Sequence, residues 1–280
     1  KHIEGLKRLA DAIKREGSVS ICQLHHAGMR SPADIIKQPP VCPSDNEELG
    51  ARALSKSEVE EVVEDFIAAA IRAERAGFDG VELHGAHGYL LCQFFSEETN
   101  RREDEYGGSL TNRSRILFEI IDGIRQRCHS NFMIGVRLSP ERFGMKLDDS
   151  VELAKRLCDE AKIDFLDMSL WDVFKEPNEE ERRGSSLLSY FTSIERGAVR
   201  LGVAGKIRTP MDAERVFAEG IDWIMLGRAA ILHHNFPDLM QQDQNFLPTE
   251  NPVSREYLAK EGLSEKFIDY MSSWKGFVAE

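Results

Sequence analysis

The sequence predicts an α/β fold of parallel strands, a (β/α)8 TIM barrel whose first two βα units are absent from this chain. Three observations predict it. Strand-type and helix-type runs alternate along the chain, with six strand-type runs in all. Neither GxGxxG nor GxxxxGK[ST], the phosphate loops of open nucleotide-binding sheets, occurs in it. Several strand-type runs end in a large polar residue (Gln23, His84, Arg137, Ser169), as in barrels that gather their chemistry at the C-terminal mouth.

The elements follow in order. Ile3, Leu6, Leu9, Ala10 and Ile13 recur at helical spacing over residues 3–16, and Gly17 stands where that helix stops. Residues 19–24 read as a strand. Residues 31–53, rich in Pro, Asp and Asn, are expected to be irregular. Ser57 and Glu60 are read as a capping box opening a helix that runs to Ala76 and ends at Gly77. A strand over 78–83, a helix over 112–128, a strand over 132–138, a helix over 148–161 and a strand over 164–170 come next. A charged excursion (KEPNEEERR) follows, expected to be solvated or to cover the mouth as a lid. A weaker strand over 201–204, a helix started by Pro210 and a strand over 221–226 complete the pattern. Side-chain alternation puts Glu82 and His84 on one face, and Arg137 opposite Ile134, Val136 and Leu138. A whole barrel runs to about 250 residues in eight units, and this sequence opens on a helix. The expectation is one barrel domain over 1–280, incomplete at its N-terminus.

The 280 residues carry a formal net charge of −12, with 41% hydrophobic and 30% charged residues. That balance supplies a core and argues against nucleic acid or an anionic membrane as partner. No apolar run reaches the ~20 residues of a membrane span. The five cysteines are scattered with no CxxC pair, which excludes a zinc ribbon or iron–sulfur cluster and fits reduced thiols in the cytoplasm.

The densest chemistry is His84-Gly85-Ala86-His87-Gly88-Tyr89, with two imidazoles and a phenol at a strand end. His84 and His87 could be metal ligands or loop residues, and Tyr89 could be core. No third ligand stands at an obvious spacing, so no metal site is expected.

QLHHAG at 23–28, HGAHGYLLCQFFSEETNRREDEYGGSLTNRSR at 84–115, GVRLSP at 135–140, VAGKI at 203–207 and LGRAAI at 226–231 resemble the Old Yellow Enzyme family. These are FMN-dependent barrel oxidoreductases that include ene-reductases and the flavin domain of 2,4-dienoyl-CoA reductases. The resemblance runs in order to about residue 240 and implies an FMN-binding domain with NAD(P)H as electron donor. It implies that Gln23 bonds the pyrimidine edge of the flavin and that Arg137 stands near N1 and the C2 carbonyl, stabilising reduced flavin. Gly205, Gly227 and Arg228 would hold the phosphate. His84 and His87 would polarise the carbonyl of an α,β-unsaturated substrate, and Tyr89 would protonate its α-carbon. Members carry His–His or His–Asn at the two donor positions; this chain has His–His. With no separate dinucleotide motif, nicotinamide and enone would share one flavin face in ping-pong turnover.

Two other readings stay open here: a metal-dependent barrel hydrolase using His84 and His87, and an inactive flavoenzyme homologue. Structural alternatives also stand beside the individual roles, such as Arg137 in a buried ion pair with Glu82. Cys22 and Cys92 are assigned to packing, Trp171 and Phe174 to pocket lining or packing, and His233-His234-Asn235 lies outside the chemistry. The physiological substrate and the oligomeric state, a homo-oligomer among the options, are left open.

Overall fold

The computed structural model describes residues 2–279, which form two compact units. The first runs to Leu170 and takes in Lys175–Leu201; the second holds Trp171–Phe174 and the chain from Gly202 onward. No helix among the described residues is long and apolar enough to cross a membrane.

The first unit opens with α1 (Ile3–Arg15), which ends at Gly17 in the left-handed region (φ 75°). β1 (Ile21–Leu24) follows. The stretch expected to be irregular contains a one-turn helix, α2 (Ala33–Ile36), and a small parallel ladder, β2 (Val41–Cys42) with β3 (Arg52–Ala53). A buried cluster of Met29, Cys42 and Ala51 explains the ladder, because burial there requires paired backbone groups.

α3 (Lys56–Arg75) begins two residues earlier than its sequence suggested. Both Ser55–Glu58 and Ser57–Glu60 satisfy the capping-box pattern, and the chain uses Ser55, whose side chain accepts from Glu58 N. The choice is physical. Leu54 and Val59 are both buried and take the two staple positions flanking that box, whereas a Ser57 cap would put Lys56 there. A box of this kind is worth about 1 kcal/mol.

β4 (Gly80–Gly85) is buried along its whole length and starts two residues later than expected, so His84 lies within the strand. After it come α4 (Leu90–Phe95), which the sequence pattern did not disclose, and α5 (Leu110–Arg127). α5 packs on α3 across Gly123, where a Cβ would come within 2.1 Å of Ile67 Cδ1. β5 (Met133–Leu138), α6 (Leu147–Asp159), β6 (Phe165–Ser169) and the short α7 (Ser189–Thr192) complete the unit. Its strands lie parallel in the order β1-β4-β5-β6. The register sets Gln23 beside Glu82, His84 beside Arg137, and Arg137 beside Asp167. The charged excursion is tied to α6: Glu179 accepts from Leu147 N (2.9 Å), and Arg182 pairs with Asp148. Lys146 offers α6 no side-chain cap, so the excursion supplies one.

The second unit pairs the part of β7 (Arg200–Ala204) from Gly202 with β8 (Trp223–Met225), again parallel. α8 (Pro210–Ala218) lies between them in sequence, capped by Thr209 and Asp212 with Pro210 in its first turn. α9 (Arg228–Leu232), α10 (Phe236–Gln242), α11 (Arg255–Lys260) and α12 (Glu265–Ser272) follow. Leu232, Val253, Leu258, Ile268, Met271 and Phe277 form a core of their own. His233 is absorbed into packing, its Nε2 accepting from Thr249 N (3.0 Å), and His234 pairs with Glu261 (2.8 Å).

Candidate active site

The site lies in the first unit, at the C-terminal ends of β1, β4, β5 and β6. β1 and β5 deliver one polar side chain each, Gln23 and Arg137, and β4 and β6 two each, Glu82 with His84 and Asp167 with Ser169, because residues two apart in a strand share a face. His84 leaves β4 with only 4% of its surface exposed. The chain then turns through His87 (φ 61°) and Gly88 (φ 70°), two successive left-handed residues. That turn brings both imidazoles and the phenol to one place. The His84 and His87 rings stand 5.0 Å apart, and His84 and Tyr89 5.3 Å apart.

Hydrogen bonds from neighbouring side chains and backbone hold the turn. Ser139 Oγ accepts from His87 N (3.0 Å), and the buried Gln93 donates to the Gly88 carbonyl (2.7 Å) while accepting from Met29 N (3.2 Å). Leu90 N donates to the His26 carbonyl (3.0 Å). Two residues not singled out beforehand face Tyr89. His25 meets its ring edge-on at 4.2 Å, and the Arg30 guanidinium lies 5.1 Å above it while donating to the His87 carbonyl (2.6 Å). The signal for both was present in QLHHAGMR, but the spacing of a loop does not reveal where its side chains point.

The second half of the site is ionic. Gln23 donates to Glu82. Arg137 Nε lies 3.0 Å from Asp167, which is fully buried. Arg137 thus takes Asp167 as its close ionic partner, where the structural alternative had named Glu82; Glu82 acts on it only at longer range. The across-strand register explains the exchange, since Arg137 stands directly opposite Asp167. Ser169 joins the halves, 2.7 Å from His87 Nε2 and 3.4 Å from Arg137 Nη2. Of the five residues expected at the site, Ser169 links His87 to Arg137, ring contacts join His84 to His87 and Tyr89, and Gln23 is held by Glu82.

The electrostatics follow from burial. Burial, with His87, Arg137 and His25 adding to it, pulls His84 down to about 3. Burial, Arg137 and Arg30 pull His87 down to about 4. Both imidazoles are neutral near pH 7, so each can offer one N–H. Burial raises Glu82 against the pull of Gln23 and Arg137, and raises Asp167 to about 8 against the pull of Arg137. Among the described residues, the buried side-chain nitrogen and oxygen atoms without a hydrogen bond are His84 Nδ1, Arg137 Nε and both Asp167 oxygens. The Arg137–Asp167 contact is an ion pair by distance, with its N–H not aimed at the oxygen.

Much of the 84–115 motif proves to be scaffold. Arg113, 2% exposed, donates to the Phe95 and Gly108 carbonyls and pairs with Glu97 and Asp149. Asn100 bridges the Phe94 and Tyr106 carbonyls, both at 2.7 Å. Cys92 is fully buried, as a packing residue should be.

In the second unit, Gly205 follows β7 with φ 156°, and a Cβ there would come within 2.9 Å of Asp172 N. Gly227 and Arg228 are exposed at the start of α9. Phe174 lies under the Arg215 guanidinium at 4.3 Å, and Trp171 is exposed. Among the described residues, no group of three or more His, Cys, Asp or Glu is arranged to hold a metal ion.

Comparison with known proteins adds the following. The family described as "NADH:flavin oxidoreductase / NADH oxidase family" matches residues 1–247. The "Probable NADH-dependent flavin oxidoreductase YqiG" of Bacillus subtilis (strain 168) is 36% identical over 250 residues, covering 84% of this chain and 66% of that protein. The "NADH oxidase" of Thermoanaerobacter brockii is 36% identical over 250 residues, covering 85% of this chain and 38% of that protein. This chain thus spans less than two thirds of the length of either curated relative. Morphinone reductase in complex with tetrahydroNAD superposes with a TM-score of 0.74 at 27% identity, covering 91% of this chain and 73% of that one. That likeness assigns the chain to the α/β barrel class, of which it covers a part.

Proposed function

The chain belongs to the NADH:flavin oxidoreductase / NADH oxidase family, and from that premise we propose that it carries FMN and uses NAD(P)H to reduce the C=C bond of α,β-unsaturated carbonyl compounds. One observation carries the reading: Gln23, Arg137, His84, His87 and Tyr89 are gathered at and just beyond adjoining strand ends, Ser169 joining Arg137 to His87 and the rings of His84, His87 and Tyr89 lying together. His84 Nδ1 is buried without a partner, a condition that costs about 1–3 kcal/mol unless a ligand meets it.

These residues fit a flavin. Gln23 and Arg137 would hold the polar edge of its ring system, the amide by hydrogen bonds and the guanidinium by a fixed positive charge. Gly205, Gly227 and Arg228 are the residues proposed for the phosphate, glycine allowing close approach of backbone N–H groups. Bound FMN supplies hydride transfer between the nicotinamide and a substrate carbon.

The chain's own residues do the rest. Neutral His84 and His87 donate to the substrate carbonyl oxygen and stabilise the enolate charge that develops there. Neutrality suits this task, because a donor that loses its proton to the enolate would no longer hold it in place. Tyr89 delivers a proton to the α-carbon, restrained between His25 and Arg30. Nicotinamide and enone use the same face in turn, so initial-rate plots for the two are parallel.

The test is an absorption spectrum of the purified chain. A yellow protein bleached by NAD(P)H and recoloured by an enone such as 2-cyclohexenone supports the reading. A folded but colourless protein overturns it.

A further inference from the structure

The polar residues of the site are accounted for except for one group. Asp167 is fully buried on β6, and neither of its oxygens makes a hydrogen bond. Its one close partner is Arg137, at 3.0 Å. Glu82, 5% exposed on β4, is the second buried carboxyl group, and it accepts from Gln23. Within the first unit, the charged groups acting on Asp167 are thus Arg137 and Glu82. Two buried carboxyl groups thus face one guanidinium, Asp167 in contact with it and Glu82 at longer range, in a place water reaches poorly.

Two full negative charges against one positive charge would leave a net charge of minus one in that interior. Such an excess is relieved when one carboxyl group keeps its proton. It would also stand beneath the two residues assigned to the polar edge of the flavin, where reduction brings further negative charge. Glu82 holds Gln23 and Asp167 holds Arg137, so the pair can sense that charge through both contacts.

We propose, resting on the FMN reading above, that Asp167 is the positioning residue of Arg137, and that Asp167 and Glu82 hold one proton between them at neutral pH and, where alkali has removed it, take it back when the flavin is reduced. The balance is simple. One hydride oxidises the nicotinamide and reduces the flavin. A solvent proton then forms an O–H bond on the carboxyl pair where that pair had been fully ionised, and no bond of the pair breaks.

The experiment has two arms. The first uses the chain without flavin and follows urea unfolding between pH 6.5 and 8.5. The raised folded-state pKa of Asp167 makes stability fall as pH rises through this range, since the unfolded carboxyl groups are already ionised. The expected result is a urea midpoint that falls in the native chain and falls less in Asp167→Asn, where thiols held above their ordinary value by burial still contribute. A native midpoint that does not fall, or an equal fall in Asp167→Asn, overturns the shared proton.

The second arm measures the flavin midpoint potential of the FMN-loaded chain from pH 6 to 10. Above about pH 8 the native slope should steepen by about 30 mV per pH unit, the two-electron equivalent of a tenfold change. Asp167→Asn and Glu82→Gln should both lack the steeper segment, while Asp167→Ala should also weaken FMN binding tenfold or more by freeing Arg137. Should Asp167→Asn not fold, Glu82→Gln decides both arms. A yellow chain with one unchanging slope overturns the proton uptake alone. An Asp167→Ala chain that binds FMN as tightly as the native one overturns the positioning role. A chain that never binds FMN fails the functional reading first, and the flavin-free arm still decides whether the proton is shared.

Discussion

Ser169 Oγ stands 2.7 Å from His87 Nε2, and that contact joins the loop bearing His87 to the strand bearing Asp167. The same oxygen lies 3.4 Å from Arg137 Nη2. Arginine only donates, so the hydroxyl accepts from Arg137, while a second lone pair and its own proton let it serve either tautomer of His87. Ser169→Ala removes one hydrogen bond from each neighbour. A lost bond of this kind is worth about 1 kcal/mol, so kcat/KM for enone reduction should fall about five- to tenfold. FMN affinity, measured by fluorescence quenching, should change by less than about threefold.

Tyr89→Phe keeps the ring between His25 and Arg30 but removes the proton. Positioned general acids contribute about 10²–10⁴-fold. Reoxidation of the reduced protein by an enone should slow by about a hundredfold or more in stopped flow. Bleaching by NAD(P)H should stay within about twofold. Equal slowing of both steps would remove the phenol from its role.

His84 and His87 make stability depend on acid. Both are held below the ordinary histidine value of 6.5, at about 3 and about 4. Between pH 6.5 and about 4 the unfolded chain binds protons that the folded chain refuses. Stability therefore falls as pH drops through that window and is unaffected by these groups above it. Urea midpoints measured from pH 7 to 4 should show the fall, and a His84→Asn/His87→Asn double variant should show a shallower one.

Arg113→Met tests the scaffold. Arg113 is 2% exposed and bonds two carbonyls and two carboxylates. Removing one member of a buried, hydrogen-bonded charge set costs about 3–5 kcal/mol. Thermal unfolding should show a loss of that size, with any residual folded protein retaining its spectrum. A loss under about 1 kcal/mol would show that the carboxylates find water instead.

Period-two and period-3.6 patterns made every long element of the first unit readable, because burial on one face leaves its trace in the sequence. Boundaries were read less well. Two overlapping capping boxes compete at Ser55 and Ser57, and only the packing of Leu54 and Val59 decides between them. α4 was hidden because all six of its residues are buried, which erases the amphipathic signal. Gln23, His84 and Arg137 were visible as polar residues ending apolar strands. Asp167 was visible in the same way, a lone acid within FLDMS, yet its partner depends on register across two strands. His25 and Arg30 approach Tyr89 from a loop, where no period governs direction.

The left-handed backbone at His87 reaches beyond its own geometry. A φ of 61° is uncommon for any side chain but glycine, and asparagine, aspartate and histidine are the residues that tolerate it best. Aspartate, ionised, has no proton to give. Histidine and asparagine each have an N–H, which is what the donor role proposed for His87 requires. One torsion thus narrows this position to a short alphabet that holds both letters the proposed chemistry can use.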